Sequence, residues 1–407
     1  MLWGLLPHAL PQFTLSGEIL KFRDVVRHVG IFFQSTHYNI FASHYTKKHD
    51  AAVGTARAIT GCDLLIGNHC MPPAITKQLY TAPVDCHLTH GCEIMPNTDP
   101  NLLRILEDVQ IHFLRRMLGL SINSVITPLC TETGIMPICM HRVALTLRYL
   151  KYLIGLPDTH YASLALKENN NLRSSGFPCW LSDLDYTIAQ LPGNHRLPPL
   201  QHLNGHHIDK LINTIVFSTK TDLQSHIDMW SKLSLLQHRL EPNDEGPAKP
   251  LLIGLRHYLT QVTNHSHRRC ITKLLCGNYI PNMFRASPSP LRQLTATEHA
   301  NRLCRACKSH PETPQHVLLQ FPSLNSISCL QADFISGIRH ARPLPLNAVF
   351  SDSTALHYLK SFIFDWVLIT STSKFIHDTV DRWQSFLDTG FDSEGVAESE
   401  SELSNVE

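Results

Sequence analysis

Three residues in the run CRACKSHPETPQHVLLQF, at 304–321, have the types and spacing to do chemistry. Cys304 and Cys307 are two residues apart, and His316 follows after eight more. A Cys-x2-Cys pair offers two thiolates on one tight turn, and a histidine adds a borderline nitrogen, which is a donor mix that zinc favours. A closed tetrahedral site needs a fourth ligand. The position where a knuckle would carry it, after four further residues, is Phe321, whose ring cannot bind a metal. His310 and Cys329 could substitute, though neither has the usual spacing. Zinc is therefore the one cofactor the sequence offers, on the incomplete set Cys304, Cys307 and His316. The other reading is a half-degenerate knuckle whose cysteines are ordinary buried thiols. The chain has no phosphate-binding glycine loop, no His-Glu-x-x-His helix and no Gly-x-Ser-x-Gly elbow.

The elements that must position such a site are helices, and the strongest pattern lies at 102–153. In LLRILEDVQIHFLRRMLGL, Leu102, Leu106, Val109, Phe113 and Met117 recur at helical spacing. Glu107 and Asp108 precede Arg115 and Arg116, an order that suits the helix dipole, and Gly119 is the stop. The connector TETGIMP follows, then a second helix in HRVALTLRYLKYLIGLP with Val143, Leu147, Leu150 and Ile154 on one face. An apolar stripe on each predicts that they pack on one another or on neighbours.

Elsewhere, 14–36 reads as strands, with a hairpin between 21–27 and HVGIFF at 28–33. Residues 40–70 read as helix, and Pro83 is expected to kink or end a helix in 71–90. Ser182 is the expected cap of a short helix in 176–192. The stretches 193–205 and EPNDEGPAKP (241–250) read as linkers, with helix over 206–240 and one or two helices over 251–278. A Pro- and Ser-rich loop at 281–290 leads to the Cys/His stretch. YLKSFIFDWVLITSTSKF (358–375) carries Lys360 and Asp365, so it reads as a buried helix rather than a membrane span. The tail from Phe391 is acidic and Ser-rich and is expected to be disordered.

A chain of 407 residues with 43% apolar content can bury a real core in two or three domains. Thirty-five basic against 34 acidic side chains leave no global charge to draw it to nucleic acid. The twelve cysteines form no dense framework and no signal peptide is evident, so free thiols and an intracellular place, cytoplasm or nucleus, are expected.

Several stretches together resemble the C-terminal part, thumb and beyond, of reverse-transcriptase polyproteins from non-LTR (LINE-like) retrotransposons of fungal type. They are VVRHVGIFF (25–33), LYTAPVDCHLTHGCEI (79–94), the paired helices around CTETGIMP, and the Cys-x2-Cys turn followed by ETPQHVLL. Order and spacing agree over about residues 20–320. The resemblance implies palm-end strands at 1–36, a helical thumb-like domain at 37–192 and a second helical region at 193–280. It places a degenerate zinc knuckle at 281–330, C-terminal helices at 331–390 and a disordered acidic tail at 391–407. The fold class expected is thus mainly α, with a small N-terminal β hairpin and an irregular Cys/His stretch.

Family polymerases hold two magnesium ions with an Asp-Asp turn and a third aspartate. No adjacent Asp-Asp pair occurs here, so the chain is expected to start beyond the palm and to be no enzyme. What carries over is thumb-like gripping of a duplex through phosphates by Arg104, Arg115, Arg116, Arg142, Arg148 and Lys151. The plainer reading of these six is a solvated helix face. Arginine codons of CG type decay to His or Cys codons, so 26 His and 12 Cys in a near-neutral chain fit a degenerate copy. The favoured function is a non-catalytic remnant with, at most, weak sequence-independent binding of RNA or DNA. A host-retained zinc-knuckle nucleic-acid-binding protein and a helical protein-interaction scaffold are the alternatives.

Overall fold

Helices dominate the computed structural model of the chain, as the apolar periodicity predicts. It describes residues 12–67, 71–243, 246–278, 303–304, 306–321, 324–342, 350–351 and 354–401. The loop expected at 281–290 lies outside them. The chain folds as two compact units. The first takes residues 1–68, 75–114 and 135–223, and the second takes 69–74, 115–134 and 224–407.

The first unit opens on two antiparallel hairpins, β1 (Thr14–Leu15) with β2 (Glu18–Ile19) and β3 (Val25–His28) with β4 (Ile31–Gln34). The second is the expected hairpin with its turn moved. Its corner is Val29–Gly30, both with positive φ, inside the run expected to be one strand. Two-residue hairpin turns of this kind need φ > 0 at both centres, and the β-branched Val29 gives no sign of it.

Helix α1 (Ala42–Ile66) follows, then α2 (Pro73–Leu79). The α-helical pattern in 71–90 is interrupted around Pro83, as expected. Pro83 sits in a π turn, Tyr80–Val84, that leads directly into α3 (Asp85–Thr89). A wider turn relieves the bond and the space that proline takes away.

The paired helices are α4 (Pro100–Leu118) and α6 (Ile138–Ile154), joined through α5 (Thr127–Thr133). Gly119 and Gly134 are both left-handed, as stops should be. Gln110 of α4 donates to the Tyr80 hydroxyl (2.8 Å) and the Met136 carbonyl (3.0 Å), and accepts the Ile138 N–H (2.9 Å). One amide thus satisfies an orphan donor at the start of α6. The buried face of α6 joins α7 (Tyr161–Ser174), α8 (Trp180–Ala189) and α9 (Gly205–Met229) in one core of Leu147, Leu150, Leu184, Ile188 and Ile208. The cap of α8 is Cys179, not Ser182; Ser182 stands three residues in and accepts the Cys179 N–H at 2.9 Å. The expected linker 193–205 is part of this core through Leu197 and Leu203.

In the second unit the expected linker 241–250 is instead a strand pair, β5 (Glu241–Asn243) with β6 (Gly246–Lys249). Beside it lies a buried ionic network. Arg239 grips Glu132 of α5 with two bonds, 3.0 and 2.9 Å, and Arg256 adds a third at 3.3 Å. Glu241 forms ion pairs with Arg239 at 3.2 Å and Arg256 at 3.4 Å. Burial pushes the Glu132 carboxyl up, but Arg239 and Arg256 outweigh it and hold it below the usual range.

Helices α10 (His257–Gln261), α11 (His265–Leu275), α12 (Asn325–Ala341), α13 (Ala355–Phe364) and α14 (Ile369–Ser401) complete the described residues. The single helix expected at 358–375 is broken at Asp365, which accepts the N–H groups of Val367 (2.8 Å) and Leu368 (3.3 Å). Helix α14 runs on as far as Ser401. No described helix is long and apolar enough to cross a membrane.

Candidate metal centre

The turn that starts at Cys304 is held from both sides. Cys304 donates its N–H to the His310 carbonyl (2.6 Å), Lys308 donates to the Cys304 carbonyl (2.8 Å), and Leu303 bridges Pro311. Lys308 takes a left-handed φ of 53° to close it. His316 begins a π turn, His316–Gln320, and is anchored by its N–H to Thr313 Oγ1 at 3.2 Å. These constraints bring the ligand atoms of Cys304, Cys307 and His316 within 4.8 Å of one another, with Cys307 Sγ 3.4 Å from His316 Nε2. The three could hold one metal ion.

The surroundings treat the two sulfurs differently. Burial pushes the Cys304 thiol up to about 11, although the backbone N–H groups of Cys307 and Ala306 point at it. Burial raises Cys307 as well, but the Ser309 hydroxyl, the N–H groups of Ser309 and His310, and the Cys304 thiol bring it down to about 5. Backbone donors aimed at sulfur stabilise thiolate, the form that binds metal.

Phe321, at the expected fourth position, is turned to other work. It is fully buried, edge-on to Trp383 at 4.8 Å, in a cluster with Cys304, Val317, Ile327 and Leu387. Cys329 is exposed on α12 and does not join the ligand group. His310 is exposed, its ring stacked 5.4 Å from that of His316. Among the described residues no fourth His, Cys, Asp or Glu stands with the three.

The six expected phosphate contacts are divided between the units. Arg104, Arg142, Arg148 and Lys151 belong to the first unit, Arg115 and Arg116 to the second. Arg142 must be struck from the list. It is buried and donates to the Leu88 carbonyl (2.6 Å), Asn97 Oδ1 (2.7 Å) and the Tyr45 hydroxyl (3.0 Å), so its charge is spent on the core. Arg115 is tied to Ser124, at 3.2 Å to Oγ and 2.9 Å to the carbonyl. Arg116 is half-buried. Lys151 is exposed but bridges to Asp209 at 2.6 Å. Arg104 and Arg148 are exposed on α4 and α6.

Sequence reasoning passed over a second cluster, His267, His377 and Asp378, and the network around Glu132. Both join residues far apart in the chain, which no local spacing can flag. Comparison with protein-family models, curated proteins and solved structures finds no match for this chain.

Proposed function

We propose that the turn at 304–316 binds one zinc ion as a structural knuckle in a non-catalytic fragment of a non-LTR retrotransposon reverse transcriptase of fungal type. Any nucleic-acid binding is weak and sequence-independent. The observation that supports the knuckle is the convergence of two sulfurs and a ring nitrogen under backbone donors. The origin rests on the ordered motifs between about residues 20 and 320 alone. The absence of an Asp-Asp pair from these 407 residues supports a non-catalytic role. Zinc, when bound, supplies a cross-link between the Cys304–Cys307 turn and the His316 turn, and Cys307 with its donors supplies the thiolate. A second reading, a host-retained zinc-knuckle nucleic-acid-binding protein, differs in holding its zinc tightly.

Metal analysis of purified protein tests the site. Cys307→Ser should lower the zinc content by one per chain; a content that Cys307→Ser leaves unchanged sinks the knuckle. Retention through dialysis against a chelator selects the host-retained reading, and loss selects the remnant. Nucleic-acid contact is tested by filter binding at several salt concentrations. Arg104→Ala with Arg148→Ala should lower the log–log salt slope by about two if both touch phosphate. An unchanged slope removes the gripping role.

A further inference from the structure

We infer that His267, His377 and Asp378 form a second metal site, specific for a zinc-like divalent ion, that ties α11 to α14. Their ligand atoms lie within 4.8 Å of one another, and all three side chains are half-buried. The two imidazole rings are 4.9 Å apart, centre to centre, and His377 Nδ1 is 3.0 Å from Asp378 Oδ1. Two ligands on one tetrahedral zinc stand about 3.3 Å apart, so small rotamer shifts close the triad on an ion. Two nitrogens and one carboxylate oxygen suit zinc or cobalt rather than calcium or magnesium, which prefer oxygen alone.

Lys374 is a positive charge near His267 that opposes an incoming cation, and with three protein ligands the site should be weaker than a closed four-ligand one. The two elements it would join are already packed against each other in the same unit. The ion therefore needs no rearrangement of the backbone. The site shares no ligand with the knuckle at 304–316 and stands or falls separately.

Full-length protein carrying Cys304→Ser and Cys307→Ser is titrated with Co2+. One equivalent should bind, with d–d absorption but no thiolate charge-transfer band. His267→Gln or His377→Gln in that background should weaken binding tenfold or more. No uptake, with helicity retained by circular dichroism, overturns the inference. Should the serine background lose its helicity, the titration is made on the otherwise unaltered chain. There His267→Gln should remove one equivalent of Co2+, and a stoichiometry it leaves unchanged overturns the inference.

Discussion

At residue 321 a zinc pattern asks for sulfur and the chain supplies a ring. That ring is fully buried against Trp383 and Ile327, so the residue that fails the metal serves the core beneath it. Phe321→Cys should lower the stability of metal-free protein by about 3 kcal/mol, read from urea unfolding, because the lost ring leaves a cavity. An unchanged midpoint would show that the cluster closes without it. The three ligands were legible because a Cys-x2-Cys turn is a local object whose geometry follows from its spacing. The destination of Phe321 was not, since Trp383 reaches it from far along the chain. Arg142 carries the same lesson. On a helix it reads as a surface charge, and only Leu88, Asn97 and Tyr45 turn it inward.

Helices were legible as elements because burial on one face repeats every turn, and α4 and α6 fall where their stripes place them. The strand pair at 241–249 had no such signal. It is short and polar, and its Glu241 is placed by the partners Arg239 and Arg256 rather than by alternation. The packing of α1 on the second hairpin carries a pH dependence. The buried His44 accepts the Phe32 N–H on Nδ1 (3.4 Å) and has its Nε2 3.1 Å from the His90 carbonyl. That pairing needs a neutral ring, and burial lowers its pKa from 6.5 to about 4. The unfolded chain takes up the proton first as pH falls, so this contribution is whole above pH 6.5 and shrinks toward pH 4. Its size is at most about 3 kcal/mol. Urea midpoints at neutral pH and near pH 4 should therefore fall further in the native chain than in His44→Gln. Parallel losses would remove His44 as the cause.

Across the whole molecule, each unit takes its residues from separated stretches, so sequence order and spatial order part company. Boundaries drawn at composition shifts, such as 192/193, could not find this. The fragment 224–407 would carry Arg239 and Arg256 without Glu132, which lies more than ninety residues before it. Glu132→Gln in the full chain should cost about 3–5 kcal/mol, because removing one partner leaves buried charge uncompensated. Calorimetry showing a smaller loss than that of an exposed pair such as Lys151–Asp209 would refute the network's weight.

The Glu132 network also bears on how long a folded molecule lasts. Its bonds span 107 and 124 residues of chain. Loops of that length close late, so these guanidinium groups stay hydrated while the folding barrier is crossed. Loss of the carboxylate should then leave the rate of folding nearly untouched and fall on the rate of unfolding, by roughly a hundredfold for about 3 kcal/mol. Stopped-flow traces of Glu132→Gln would show one limb of the denaturant plot displaced and the other superposed on the parent. Such a chain would reach its native state on schedule and leave it far sooner, so its lifetime before proteolysis would shorten while its shape stayed the same.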